Sequence, residues 1–514
     1  MKRILTILLL LTSLSMAAKK PVKTLPDLLK KADYKHLVDY FNRMEDENVV
    51  QAIPNDSAWN WMQANIPFFD CPQDNFTEMY YYRWWTYRKS IKQTPIGFVI
   101  TEFLVPRTYA DKYNMIACAL GHHLYEGRWL NDKKYVNEDL KAWYRGNAGK
   151  PMNKLHKFSS WAADAVWNKF LVDADTAFVL DLMPDLEADY AWWESSHRLA
   201  NGLYWQGDVQ DGMEESLSGG RNKQNARPTI NSYMYGNAKA LEKMAKLAGN
   251  AEKEKLYANK AFEIKNLTER LLWNDNQRFF ETRWANDTIC NIREEIGFLP
   301  WYFNLPDAGS EDAWKQLGDE QGFNAPYGIT TAERRNPAFR THGIGKCEWD
   351  GAVWPFATSQ TLTAMANVFN NYNAVSVPDT LYFKLLQTYV ESMYHRGRPY
   401  VGEYLDETTG YWLKGDQERS RYYNHSTFND LIISGLLGLR PSTGNQLEIN
   451  PIIPEKTWDW FCLDGVSYHG QKISVLWDKT GLKYNKGKGF LVFVNKQPVA
   501  AAAHIGRLRI TLKK

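Results

Sequence analysis

The sequence predicts a mainly α protein: a ring of paired helices followed by a small antiparallel β domain. Three observations carry this. Apolar residues recur at helical spacing in successive segments from about Tyr80 to Leu437. The connections between these segments alternate between plain ones and ones rich in glycine and aromatic residues, as in helical hairpins whose loops on one side build a cleft. Beyond Leu439-Arg440-Pro441 the polarity pattern shortens to that of strands. No fixed short repeat appears, which argues against a linear helical solenoid.

Taken in order, Met1-Lys2-Arg3, an apolar run from Ile4 to Leu11 broken only by Thr6, and small residues up to Ala17-Ala18 read as a signal peptide over 1–18. The run is too short to span a bilayer stably, and no later stretch is long and apolar enough to do so. No cysteine follows the cleavage region. A secreted or periplasmic chain is therefore expected, without a lipid anchor and without membrane insertion after signal cleavage. Residues 19–75 form an extension of short helices and loops, including an amphipathic piece from Leu37 to Met44. The helical body covers 76–440 and opens on Tyr80-Tyr81-Tyr82-Arg83-Trp84-Trp85-Thr86-Tyr87.

Within the body, Phe158, Trp161, Ala162, Ala165, Val166 and Phe170 share one helix face. Phe178, Leu182, Leu186, Tyr190 and Trp193 share the next, after Asp175 as N-cap. Further helices are expected over Ser232–Leu247, Leu256–Leu271, Thr358–Phe369, Leu381–Met393 and Phe428–Leu437. In 441–514, Lys472–Trp477, Phe490–Val494 and Leu508–Leu512 read as strands with turns at Asp478-Lys479-Thr480-Gly481 and Asn495-Lys496. This tail is expected to pack against the helical body.

The 514 residues are 44% hydrophobic and 24% charged, as in a globular protein with a large core. The surplus lies in 21 Trp and 29 Tyr, which suit a carbohydrate cleft as well as a core. The net charge is +3 and no basic run interleaves with aromatics, so no nucleic-acid partner is expected. Five scattered cysteines match neither a disulfide framework nor a zinc site and are expected to be buried, with one bridge left open. Ten histidines include no pair at metal spacing beside acids. Neither a phosphate-cradling glycine loop nor a Gly-x-Ser-x-Gly elbow occurs. No metal or cofactor is expected.

Two acidic motifs carry the chemistry. Asp211-Gly212-Met213-Glu214-Glu215-Ser216 follows Tyr204-Trp205, and Gly402-Glu403-Tyr404-Leu405-Asp406 precedes Thr409-Gly410-Tyr411-Trp412. Glycoside hydrolysis needs one carboxyl group to protonate the leaving oxygen and one to activate water or attack. Crowding of Asp208, Asp211, Glu214 and Glu215 is expected to raise the pKa of one member, as a general acid requires. Trp349 and Trp354, five positions apart, fit a loop that brings both rings to a cleft.

These motifs resemble, in order, those of the mannosylglycerate-hydrolase-like and family 63 glycoside hydrolases, relatives of trehalases. The resemblance spans about Tyr80 to Leu439. Gly212-Met213-Glu214-Glu215-Ser216 is similar to a Gly-Met-Asp-Asn-Ser-like segment that carries the general acid there, with Glu in place of Asp. Trp349-Asp350-Gly351-Ala352-Val353-Trp354-Pro355 resembles a Trp-Arg-Gly-Pro-Val-Trp-Pro-like segment, with Asp350 replacing the Arg. Glu403-Tyr404 resembles the segment that holds the base. The resemblance implies an (α/α)6 barrel and an inverting exo-acting α-glycosidase on oligosaccharides or glycosides, with Glu214 as acid and Glu403 as base, and Glu215 or Asp211 as competing acids. Candidate subsite residues are Arg83, Trp84, Trp85, Glu126, Arg128, Trp205, Asp208, Arg227, Trp301, Trp349, Asp350 and His425. Two other readings stay open: a non-hydrolytic carbohydrate-binding protein, and a polysaccharide lyase using His425, Tyr423 and Arg419.

Overall fold

The computed structural model describes residues 27–372 and 376–513. The expected signal segment, 1–18, lies outside them. The described helices are α1 (Lys35–Arg43), α2 (Asn55–Asn65), α3 (Asp74–Ser90), α4 (Leu120–Gly127), α5 (Lys134–Arg145), α6 (Ala162–Asp173), α7 (Thr176–His197), α8 (Pro228–Leu247), α9 (Ala251–Leu271), α10 (Leu299–Tyr302), α11 (Pro355–Asn371) and α12 (Asp379–Ser392). Short 3-10 segments at Glu295–Phe298 and Glu311–Leu317, and a π-helical turn at Leu431–Leu436, complete the set that matters here.

From α3 onward the helices alternate between two concentric rings. The inner ring runs α4, α6, α8, the Glu295–Tyr302 stretch, α11 and Leu431–Leu436, each packing on the next. The outer ring holds α3, α5, α7, α9, Glu311–Leu317 and α12. This is the (α/α)6 barrel. Burial follows position. Every residue of α4 and of Leu431–Leu436 is buried, whereas α7 and α9 bury one stripe, Val179, Leu182, Leu186, Tyr190 and Trp193 in the first case. Asp175 caps α7 by accepting from the Phe178 N–H at 3.0 Å, as expected from the sequence.

The ring closes between its first and last inner members. Glu126 at the end of α4 accepts from the backbone N–H groups of Asn429 and Asp430 at 2.9 and 3.0 Å. Arg128 pairs with Asp430 at 2.7 Å. These contacts satisfy the orphan donors at a buried helix start.

Two expectations are corrected. Phe158 is not on α6; it is extended, at φ −127° and ψ 145°, and the helix begins at Ala162. The N-terminal extension is not only helix and loop: Phe68–Asp70 pairs antiparallel with Trp460–Tyr468. It thereby starts a five-stranded sheet that continues through Gln471–Asp478, Gly489–Val494 and Gln497–Ala502. A second sheet joins Leu439–Arg440, Gln446–Ile449 and Leu508–Thr511. The β domain docks on the end of α6, where the His469 N–H and ring reach the carbonyls of Val172 and Leu171. All five cysteines are free thiols. No helix among the described residues is long and apolar enough to cross a membrane.

Candidate active site

The connections that lead into the inner helices converge on one cavity of about 310 Å³. The segment before α4 contributes Glu102, Tyr109 and Cys118, and the one before α6 Lys157 and Phe158. The loop before α8 brings Glu214. Cys347, Trp354 and Phe356 come from the entry to α11, and Glu403, Arg419, Tyr423 and His425 from the chain before the last inner helix. Glu214 and Glu403 thus share one pocket.

The Glu214 loop is fixed from both sides. Asp211 is fully buried and accepts from Arg227 Nε at 2.8 Å and from the hydroxyls of Thr229 and Ser159. Arg227 and Thr229 belong to the start of α8, so the loop is clamped to an inner helix. Met213 is fully buried and its N–H donates to the Asp208 carbonyl at 2.8 Å. Gly212 between them sits at φ +74°, a conformation that glycine adopts without strain. The next side chain, Glu214, is half-buried and faces the cavity.

Burial pushes the Glu214 pKa up to about 7; the charges of Glu403 and Asp208 add to this and Lys414 opposes it. The crowding expected from the sequence is therefore only a secondary cause. The neighbouring acids are engaged elsewhere: Asp211 by Arg227, and Glu215 by Arg221 and Lys346.

Glu403 has the opposite surroundings. It is 4% exposed, with Arg419 Nη2 at 3.1 Å and Lys414 Nζ at 3.5 Å from Oε2. Its chain segment is held by a reciprocal backbone pair between Leu405 and Val353, both bonds at 3.0 Å. Tyr404 stacks on Trp354 at 4.5 Å, and Trp354 stacks on Trp349 at 4.4 Å, a three-ring wall beside the carboxylate.

A third carboxyl group, Glu102, is 4% exposed. Burial pushes its pKa up to about 8, hydrogen bonds from Tyr423 and Cys118 pull it down, and the charges of Glu403 and Glu214 add to the rise. Burial thus favours the neutral form of Glu102. His425 lines the same wall, with its pKa held well below the ordinary value by burial and then by His122 and Arg83. Neither of its ring nitrogens has a hydrogen-bond partner among the described residues.

Of the twelve candidate subsite residues, His425 lines the cavity and Trp349 stands one ring behind Trp354. The others are placed away from it, and their partners explain why. Arg83 ties outer helix to loop by donating to the Tyr389 hydroxyl and to Ser426. Trp84 and Trp301 are fully buried core rings, the latter against Phe280 and Trp314. Trp85 packs on Phe41 and Tyr82 and donates to Asn42. Glu126 and Arg128 close the ring, and Arg227 clamps Asp211. Trp205 stacks on His197 at 4.3 Å. Asp208 accepts from the N–H groups of Val209 and Arg221, and Asp350 from those of His342 and Gly343. Glu102, Tyr109, Phe158, Phe356 and Lys414 were not legible as site residues. Lys414 has one local signal, its place in the same loop as Glu403; Glu102 has none.

Comparison with known proteins fits this fold. The family model of the mannosylglycerate hydrolase MGH1-like glycoside hydrolase domain matches residues 112–426. That of the glycosyl hydrolase family 65 C-terminal domain matches 439–501. A solved structure described as a sialidase is 62% identical with a TM-score of 0.93, covering 94% of this chain and 45% of that one. The mannosylglycerate hydrolase of family 63 from Thermus thermophilus, in complex with glucose, shares the fold at 15% identity and a TM-score of 0.50, over 65% of this chain and 95% of that one. An uncharacterized protein of Borreliella burgdorferi is 24% identical over 196 residues, 37% of this chain and 40% of that protein. The chain thus spans less than half the length of the sialidase-named structure and of the Borreliella protein. The match over 112–426, more than half of the chain, places it in the family of mannosylglycerate hydrolase MGH1-like glycoside hydrolase domains.

Proposed function

We propose that this chain is a secreted glycosidase that removes terminal sugars with inversion, with Glu214 as general acid and Glu403 as general base. The observation that carries the reading is the pair of carboxyl groups on one small cavity in opposed environments: Glu214 poised near neutrality by burial, Glu403 flanked by two cations. A proton donor and a charged acceptor facing one site are what hydrolysis of an O-glycosyl bond requires. In this scheme Glu214 protonates the glycosidic oxygen as the bond to the anomeric carbon breaks. Glu403 takes a proton from the water that attacks the opposite face. The aromatic wall of Tyr109, Phe158, Trp354, Phe356 and Tyr423 would hold the ring, and neutral Glu102 would donate to a hydroxyl. An enclosed cavity of about 310 Å³ suits a terminal sugar better than an internal stretch of chain.

α-Glycosides are the first substrates to try, on the family resemblance. Sialosides join them because of the name given to one relative, and Lys157 on the cavity wall would face an acidic sugar. Secretion rests on Met1–Ala18, and N-terminal sequencing of protein recovered from the periplasm or medium tests it. A screen of defined glycosides, with product anomers followed by NMR, tests the chemistry. Release of a sugar with inverted configuration, lost in Glu214→Gln and Glu403→Gln, is expected. Near wild-type turnover in either variant rejects its assigned role, and ligand binding without reducing ends would leave a binding protein.

The lyase reading also has its residues in the cavity, since Tyr423, His425 and Arg419 all line it. Yet burial and the Glu102 charge hold the Tyr423 pKa well above the ordinary phenol value, and Arg419 is occupied by Glu403. That disfavours proton abstraction by Tyr423. Unsaturated, ultraviolet-absorbing products would reinstate it.

A further inference from the structure

A second cavity, of about 280 Å³, lies toward the C-terminal ends of the inner helices, opposite the carboxylate pocket. The two do not merge. Phe356, which lines the first, packs on Trp161 with ring centroids 6.2 Å apart. Trp161 packs in turn on Tyr302 at 5.9 Å, and Tyr302 lines the second. An aromatic plug thus divides the barrel axis.

The walls of this second cavity hold more positive than negative charge. Arg128, Lys239, Lys243 and Arg440 face Asp164 and Asp430. Both carboxylates are already engaged. Asp430 accepts from Arg128 at 2.7 Å, and Asp164 from the Tyr125 hydroxyl at 2.7 Å and the Asn168 amide at 3.2 Å. Lys239 pairs with Glu242 at 2.5 Å. Among the described residues this leaves Lys243 and Arg440 without a carboxylate within ion-pair distance. Arg440 makes one side-chain hydrogen bond, to Asn367 Oδ1 at 3.1 Å. Burial and then the nearby Arg128 push the Arg440 pKa down. Arg440 is the more enclosed of the two, and an enclosed cation lacking a counter-charge carries a cost that a bound anion would relieve; Lys243 stands at the solvent-exposed edge of the cavity. Neutral hydrogen-bonding groups, the Asn371 amide and the Tyr235 hydroxyl, stand beside the cations.

We propose that this cavity is a binding site for a small oxyanion, held between Lys243 and Arg440. Its volume admits inorganic phosphate or a single sugar acid. The proposal is independent of the chemistry assigned to the carboxylate pocket.

Isothermal titration of the full chain with inorganic phosphate, glucuronate and glucose tests it. At least one of the two anions should bind and glucose should not. Lys243→Ala and Arg440→Ala should each weaken anion binding by roughly 10-fold or more, the scale of a lost charge-assisted hydrogen bond. Lys243 and Arg440 line the second cavity and not the carboxylate pocket, so their effect separates the two sites. Binding of phosphate alone assigns a free-oxyanion site, and binding of glucuronate alone a sugar-acid site. Failure of both anions at millimolar concentration overturns the proposal. So does equal binding of glucose, or unchanged affinity in both cation variants. Should Arg440→Ala not fold, Lys243→Ala carries the test, because Lys243 is solvent-exposed.

Discussion

Arg419 Nη2 lies 3.1 Å from Glu403 Oε2, a charge pair inside the pocket rather than on its surface. Burial lowers the Arg419 pKa, but the Glu403 charge outweighs it and the net shift is upward. The Glu403 side chain therefore favours the charged form of Arg419. Arg419→Met should lower kcat by about 10- to 100-fold, within the range a positioned base contributes. Arg419→Lys should recover part of the loss, since a cation returns without the planar fork. Steady-state kinetics on a substrate from the glycoside screen reads this, and full activity in Arg419→Met would refute the pairing as functional.

In the proposed mechanism Glu214 would set the alkaline side of the pH profile. With its pKa pushed up to about 7 by burial, chiefly, and by Glu403 and Asp208, it is protonated below that value and loses its proton above it. A general acid must be protonated, so kcat/KM should fall about 10-fold per pH unit well above 7. Glu214→Gln should reduce turnover by at least ~100-fold and abolish that limb. A profile flat from pH 6 to 9 in the wild type would remove Glu214 from the acid role.

Glu102 is the competing proton donor, since burial leaves it neutral up to about pH 8. A carboxyl group that only donates to a hydroxyl is mimicked by an amide; one that transfers a proton is not. Glu102→Gln should therefore stay within about 10-fold of wild type in kcat. Loss as deep as that of Glu214→Gln would transfer the acid role to Glu102.

The Asp211–Arg227 pair, both side chains fully buried and 2.8 Å apart, anchors the loop that carries Glu214. Removing one member strands the other charge. Arg227→Ala should cost about 3–5 kcal/mol of stability, measured by denaturant unfolding. Activity should fall as well, because the loop loses its clamp to α8. Unchanged stability in this variant would mean that water solvates Asp211 where the structure shows protein.

What the sequence revealed follows from contrast. α7 and α9 are half-exposed, so their apolar stripes stand out against polar neighbours. α4 and Glu295–Tyr302 are buried all round and carry no such stripe. Strand Trp460–Tyr468 was invisible as a partner of Phe68–Asp70 because nearly 400 residues separate them. Glu214 and Glu403 were legible through ordered local motifs. The subsite candidates stand out by residue type, and type does not distinguish a sugar contact from a core contact. Arg83, a candidate subsite residue by type, is held instead by Tyr389 and Ser426, about 300 residues away. Glu102, in a loop without any motif, became a site residue only once the ring had closed.

The same burial that tunes the pocket makes stability depend on pH. Asp139 on α5 is fully buried and accepts from the Ile100 N–H at 2.9 Å, while its Oδ2 has no partner among the described residues. Burial pushes its pKa from 3.8 up to about 8. A carboxyl group raised in the folded state binds its proton more tightly there than in the unfolded chain. Its contribution is fully present below the unfolded value near 4, shrinks as pH rises, and is gone above the folded value near 8. Glu102, Glu126 and Asp164 are raised for the same reason, with burial first, to about 8, 7 and 6. Unfolding free energy should therefore decline from pH 5 to pH 9. Asp139→Asn keeps an acceptor for Ile100 but has no proton to lose, so its stability curve should be flatter than that of the wild type over this window. Chemical denaturation at several pH values decides the matter, and parallel curves for the two proteins would show that Asp139 ionises at its ordinary value.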